Sequence, residues 1–238
     1  MVAWVFAGGG DSEIRGLMPF LRMRFSGYDF ERKTPVRQKR GPKPGVKIKD
    51  TGMGKTGKSL ARQITRELDA ALRGGNKCDL ILVVDDLDCC CPEERYKLLQ
   101  ESVSKIPEAI AIQCIIAFAA PEIESWIIAD WDNTVAKHID FRNCAKAMQH
   151  WLSKERGVLF ADPESFGEYD TQLKSCSEKL SDQIIEASLE HGARNCYSKG
   201  THTPLLLREI DPATVAIKCR WFRNLYNEML GTPGKTVG

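Results

Sequence analysis

The chain has 238 residues, 42% of them hydrophobic, enough to bury one sizeable core or one core with a smaller attached lobe, and this excludes an intrinsically disordered chain. Its 34 basic and 32 acidic residues leave a net charge of +2, so polyanion binding cannot rest on global charge and must come from local clustering. No apolar run approaches the roughly 20 residues that span a bilayer, and nine cysteines without paired CxxC spacing or a secretory signal fit a reducing, cytoplasmic setting with no membrane contact.

Residues 2–7 form a short apolar run with strand character, followed by Gly8, Gly9 and Gly10 and then by apolar residues at helical spacing over 14–25. Asp11 or Ser12 can cap that helix. Glu13 in its first turn suits the positive end of the helix dipole as well as it suits a ligand role. Residues 22–58 are rich in Lys and Arg and carry Pro35, Pro42 and Pro44, which predicts an extended, mobile, basic segment. Such a segment suits a phosphate backbone, with Arg37, Lys39, Arg40, Lys43, Lys55 and Lys58 as the candidate contacts; a solvated loop is the plainer alternative.

Within it, residues 52–59 match the Walker A pattern, and Asp85-Asp86 would pass for a Walker B end. A phosphate-cradling loop needs a buried strand directly before it, whereas residues 45–50 alternate apolar side chains with lysine. Residues 59–72 then read as an amphipathic helix whose glycine-rich start is an anion site in principle.

The stretch 79–88 is the centre of the chain. Leu80 to Val84 are five consecutive apolar residues, long enough for a strand buried on both faces and too short to be a buried helix. Strands of a parallel sheet deliver their last residues to the carboxyl edge, where open α/β folds bind ligands, so Asp86 and Asp88 are candidate cation ligands. They share one direction if Asp88 stays extended. Cys89, Cys90 and Cys91 cannot all face one ion from regular structure and are expected to be buried or loop thiols.

A helix is predicted over 92–104, a third apolar strand over 109–120, and a helix over 122–130 with Glu122 and Glu124 in its first turn. Beyond Trp131 the texture is helical: helices over 141–154, 172–191 and 213–230, a break at 162–167, a polar loop at 196–204 carrying Lys199 and His202, and a disordered tail at 231–238. The expected organisation is an α/β core over 1–135 and a helical region over 136–230. His138, His150, His191 and His202 lack the HxxxH-type spacing of a zinc site. Three strand ends thus bring Glu13, Asp86, Asp88, Glu122 and Glu124 towards one sheet edge. Carboxylates gathered there repel one another unless protons or cations intervene, and Mg²⁺ is the usual cation beside a phosphate ester.

Taken together, Gly10-x-x-Glu13, Asp86-x-Asp88, Glu122-x-Glu124-x-Trp126 with Asp130, and Tyr197-Ser198-Lys199 with His202, each set after its strand or late loop, resemble a group of small bacterial TOPRIM-like proteins related to OLD-type nucleases. The resemblance covers most of residues 1–230. It implies a TOPRIM-like, Rossmannoid parallel sheet flanked by helices, with a helical C-terminal extension. It further implies Mg²⁺ (or Mn²⁺) on Glu13, Asp86, Asp88, Glu122 and Glu124, with Glu13, Asp86, Asp88 and Lys199 in catalysis. Lys199 and His202 would add to the nucleic-acid contacts, DNA in preference to RNA, and relatives of this kind work in phage defence or mobile elements, some with a separate ATPase. The first glutamate of the family's EGxxE turn falls on Gly9 here. Three function classes follow: a Mg²⁺-dependent nuclease, a TOPRIM-like binding or regulatory subunit weakened in catalysis, and a P-loop NTPase using residues 52–59.

Overall fold

The computed structural model describes residues 1–34 and 56–231, apart from the side chains of residues 11–13. Among these residues, β1 (Val2–Ala7), β2 (Asp29–Thr34), β3 (Leu80–Asp86) and β4 (Gln113–Ala119) form a four-stranded sheet in the order β2-β1-β3-β4. Every neighbouring pair is parallel. The fold is α/β with helices on both faces, as the apolar runs predict for strands that must bury both sides.

Side-chain alternation divides the core. Ala3, Val5, Ala7, Leu80, Leu82, Val84, Ile115, Ala117 and Ala119 face α1 (Asp11–Arg24) and the C-terminal helices. Trp4, Phe6, Ile81, Val83 and Phe118 face the other way, onto Leu60, Ile64 and Leu68 of α2 (Lys58–Arg73) and Leu99 and Val103 of α3 (Pro92–Ser104). The connection leaving β1 leads to β2 on one side, while β3 pairs on its other side. The carboxyl ends of β1 and β3 therefore flank a topological switch point, the place where such sheets bind ligands.

The helical region comprises α4 (Glu124–Ala129), α5 (Ala145–Lys154), α6 (Leu180–Glu190), α7 (His202–Glu209), α8 (Pro212–Lys218) and α9 (Arg220–Gly231), with a small antiparallel hairpin, β5 (Tyr169–Asp170) and β6 (Ser175–Cys176), before α6. It shares one core with the sheet. Phe222 of α9 packs against Phe20 of α1 and Trp126 of α4, and Trp221 packs edge-on against Phe118 of β4. A Cβ on Gly16 of α1 would come within 2.7 Å of Pro204 Cα, so the missing side chain lets α1 and α7 approach closely.

Four expectations about elements need correction. The basic segment does not begin at Arg22: Arg22 and Arg24 end α1, and Arg32 and Lys33 lie in β2, whose charged side chains suit a sheet edge. Residues 172–179 are not helical, because Asp170 accepts the amide protons of Gln172 and Leu173 and turns the chain into the hairpin. The predicted helix over 213–230 is two helices, broken at Cys219 in extended conformation, although Val215, Cys219, Phe222, Leu225 and Met229 are all buried as their spacing requires. The third strand begins at Gln113, after a short 3₁₀ turn at Pro107–Ala109. The expected tail lies outside the described residues apart from Gly231, which ends α9.

Candidate acidic site at the sheet edge

The same alternation assigns the two aspartates at the end of β3 to opposite faces. Asp85 falls on the α2/α3 side, where it is 1% exposed and accepts hydrogen bonds from Arg95 Nη1 at 2.7 Å and from the Gly57 amide at 2.9 Å. Arg95 also donates to the carbonyls of Asp86 and Leu87, at 3.1 and 3.4 Å. This pair fixes the backbone that leads into the acidic turn. Burial pushes the Asp85 carboxyl up to about 6 in spite of Arg95. A Cβ on Gly8 would lie 2.2 Å from Asp85 Oδ1, so the carboxylate fills space that only glycine leaves in the turn after β1. Asp85 stands out in the sequence only as part of a Walker B-like strand end and Arg95 not at all; the signal available is strand parity, which puts residue 85 opposite residue 86.

Asp86, 8% exposed, lies on the face shared with α1 and α4. Asp88 does not continue the strand. Asp88 and Cys89 both adopt left-handed backbone, with φ of 49° and 58°, a conformation costing a non-glycine residue roughly 1–2 kcal/mol. The turn is held by the Asp88 amide on the Pro121 carbonyl (2.8 Å), by the Cys90 amide on the Leu87 carbonyl (2.8 Å), and by Thr56 Oγ1 on Asp88 Oδ2 (2.5 Å). The expected extended pairing of Asp86 with Asp88 is thus replaced by a turn in which the Asp88 carboxylate meets Thr56, two residues before α2. Cys89 is not a free thiol: it forms a disulfide with Cys176 at the end of the hairpin, while Cys90 and Cys91 remain free.

At the end of β4, Glu122 and Glu124 are 4% and 0% exposed. Lys199 Nζ lies 2.9 Å from Glu122 Oε2 and 3.3 Å from Glu124 Oε2. Glu122 Oε1 takes the amide of Ser181 in the first turn of α6 at 2.6 Å, which the helix dipole favours. Thr203 Oγ1 donates to Glu124 Oε1 at 2.8 Å, and because its one proton is spent there, the Tyr197 hydroxyl at 2.7 Å donates to Thr203. Tyr197 is wholly buried, and burial holds its phenol well above the ordinary range. Lys199 is about one third exposed, so the ammonium closes the acidic pair from a solvent-accessible loop. Arg15 of α1 anchors that loop through the Gly200 carbonyl at 2.8 Å.

The structure therefore brings Asp86, Asp88, Glu122, Glu124 and Lys199 to one edge of the sheet. Among the described residues no three of these carboxylates put oxygens within 4.8 Å of one another. Glu13 lies in the first turn of α1, and its side chain is outside the described residues, as are Arg37, Lys39, Arg40, Lys43, Lys55 and the glycine run 52–55. Lys58 is exposed in the first turn of α2, where its charge opposes the helix dipole.

His202 is not a nucleic-acid contact. It is 3% exposed, stacked on Tyr197, with Nε2 3.3 Å from Asp140 Oδ2. His138, Asp140 and His202 do place three potential ligand atoms within 4.8 Å. Yet the Ser198 amide donates to His202 Nδ1 at 2.8 Å, which puts the ring proton on Nε2 and directs it to Asp140. A metal at Nε2 would require that proton on Nδ1, against the Ser198 amide. The cluster is a hydrogen-bonded post under the Lys199 loop, with Asn195 on the second Asp140 oxygen at 2.8 Å.

No curated protein and no solved structure matches the chain. A family model described as a domain of unknown function, DUF4276, matches residues 30–230, a span that contains Asp86, Asp88, Glu122, Glu124 and Lys199 and leaves out Glu13. The chain belongs to the DUF4276 family.

Proposed function

We propose that the chain is a divalent-cation-dependent enzyme that hydrolyses phosphodiesters in nucleic acid, DNA in preference to RNA, in the manner of the TOPRIM-like nucleases its motifs resemble. The observation that carries this reading is the buried Glu122–Lys199–Glu124 cluster standing beside the Asp86-x-Asp88 turn, joined to it by the Asp88–Pro121 backbone hydrogen bond at the switch point of the sheet. Burying two carboxylates costs several kcal/mol each unless charge and hydrogen bonds offset it. A fold that maintains them at its ligand-binding edge, under a lysine that solvent can reach, has the parts of a phosphate-handling site.

The donor set suits Mg²⁺ or Mn²⁺. Asp86, Asp88 and Glu13 offer hard oxygens, and the neighbouring Cys89 sulfur, tied in the disulfide, is withdrawn as a soft ligand. Bound there, such an ion supplies Lewis acidity and a water of lowered pKa. The four oxygens of Glu122 and Glu124 already have protein partners, so in this reading their part is to hold Lys199 until a phosphate competes for it. Lys199 then steadies charge on the phosphate. Lys58, with the basic residues 37–55, supplies sequence-independent attraction for the strand. The setting is cytoplasmic, consistent with no described helix being long and apolar enough to cross a membrane, and phage defence with a separate ATPase is the context the resemblance suggests.

The test is cleavage of single- and double-stranded DNA and RNA with Mg²⁺, Mn²⁺ or chelator, by the wild type and by Asp86→Asn combined with Asp88→Asn. Metal-dependent cleavage that the double variant loses supports the reading, and undiminished cleavage rejects the site. A second reading is a binding or regulatory subunit, favoured by Gly9 in place of the first motif glutamate and by the lysine that ion-pairs with both glutamates. It predicts retention of nucleic acid in gel-shift experiments without cleavage under any metal.

A further inference from the structure

The run Cys89-Cys90-Cys91 has no part in the acidic chemistry, but one member is chemically committed. We propose that the Cys89–Cys176 disulfide is a reversible thiol–disulfide exchange site, opened by dithiol reductants, whose oxidised form holds the Asp88 turn and the start of α6 in register with each other. Its effect on the acidic edge rests on the function proposed above, and the exchange on the cytoplasmic setting proposed with it.

The bridge spans 87 positions and joins the two halves of the edge. Cys89 directly follows Asp88 and shares its left-handed backbone, so it belongs to the turn that presents that carboxylate. Cys176 ends the hairpin five residues before Ser181, whose amide holds Glu122. Two consecutive non-glycine residues in left-handed conformation persist only where surrounding bonds over-determine them. Opening the disulfide removes the covalent one of those restraints and frees the turn to relax. In the cytoplasmic setting proposed above, disulfides are for the most part transient, catalytic or redox-sensing, so a bridge placed here is one that exchanges.

Access favours attack at Cys89. It is partly exposed and lines a cavity of about 220 Å³ with Cys90, Pro121, Glu164, Phe166 and Tyr169, whereas Cys176 is buried. One thiolate of the reductant attacks the Cys89 sulfur, forming a mixed disulfide and releasing Cys176 as a thiolate that takes up a proton. The second thiol of the reductant then displaces Cys89, closing the reductant's own disulfide. Two electrons and two protons pass from reductant to protein. Cys91, exposed and free on the same turn, is not needed for the step.

The experiment uses the full chain purified without reductant. Alkylation after denaturation, with peptide mass mapping, should show seven reactive cysteines and one cross-linked pair, Cys89 with Cys176; prior treatment with dithiothreitol should convert this to nine, and its removal in air should restore the pair. Amide exchange at residues 87–91 and 169–181 should become about tenfold faster on reduction, with the rest of the sheet unchanged. Cys176→Ser should show the fast exchange permanently and ignore dithiothreitol, while Cys91→Ser should behave as the wild type. Nine reactive cysteines before reduction, or a pair whose opening leaves exchange at 87–91 unaltered, overturns the proposal. If Cys176→Ser does not fold, the wild type with and without dithiothreitol decides. These readouts need no nuclease activity, so their failure is separable from failure of the proposed function.

Discussion

Two acidic pairs with the same one-residue spacing end neighbouring strands, and they are held in opposite ways. Glu122 and Glu124 are buried, each oxygen has a partner, and Lys199 forms ion pairs with both from the α7 side. Asp86 and Asp88 follow β3, and there the chain breaks from the strand into a left-handed turn held by Thr56, Pro121 and the disulfide. The first pair shares one lysine between two carboxylates, and the second is split between a strand end and a turn. Identical spacing in the sequence therefore gives a lysine-bound buried pair in one place and, in the other, a pair divided between a strand end and a left-handed turn.

The largest effect that distinguishes the pairs is catalytic. Asp86→Asn with Asp88→Asn should lower cleavage by roughly 10³-fold, since metal-supplied stabilisation amounts to several kcal/mol, without lowering thermal stability; a matching loss from Glu122→Gln alone would erase the distinction. Next comes the pair beneath the turn. Arg95→Met leaves Asp85 buried without its cation and should destabilise by about 3–5 kcal/mol in urea unfolding, whereas Arg95→Met combined with Asp85→Asn should recover much of that. Lys199→Met should cost about 2 kcal/mol, less than for a fully buried pair because the lysine is one third exposed.

A fourth effect lies just beyond β4. Glu164 caps α9 through the Trp221 and Phe222 amides, and burial pushes its carboxyl from an ordinary 4.5 up to about 7. The fold therefore favours the protonated form. That contribution is complete below pH 4.5 and lost as pH rises through 7, in the same sense as Asp85, which moves from 3.8 to about 6. The stability read from urea unfolding should fall between pH 5 and 8 by on the order of 4 kcal/mol from the two groups together, and Glu164→Gln should flatten the upper part of that slope. The smallest effect is at Lys58. Lys58→Ala should weaken nucleic-acid binding about threefold and reduce its salt slope by about one, without touching cleavage of bound substrate.

Much of this was legible. The apolar runs place three of the four sheet strands within a few residues and miss β2, which lies hidden among the charges of the basic segment, and the carboxyl-edge rule places Asp86, Asp88, Glu122 and Glu124 at one edge. Parity along β3 could have exposed Asp85 as the inward-facing partner of α2 and α3, but a run that is apolar on both faces hides which face a charge will enter. The turn at Asp88 was not legible, because its left-handed backbone depends on Pro121 and Cys176, far away in the sequence. Nor was the bridge: nine cysteines allow many pairings, and only the fold brings residues 89 and 176 together. The break at Cys219 escaped because the buried positions keep helical spacing straight across it. Asp170 misled for the opposite reason, since a local side-chain cap overrode a stretch with apolar residues at helical intervals.

The most direct measurement is Mn²⁺ binding by calorimetry or spin resonance, run without substrate on the wild type, on Asp86→Asn with Asp88→Asn, and on Glu122→Gln with Glu124→Gln. Mn²⁺ should bind the wild type, be lost from the aspartate variant and be retained by a folded glutamate variant. Binding that survives loss of both aspartates and disappears with the glutamates would contradict the assignment of the two pairs.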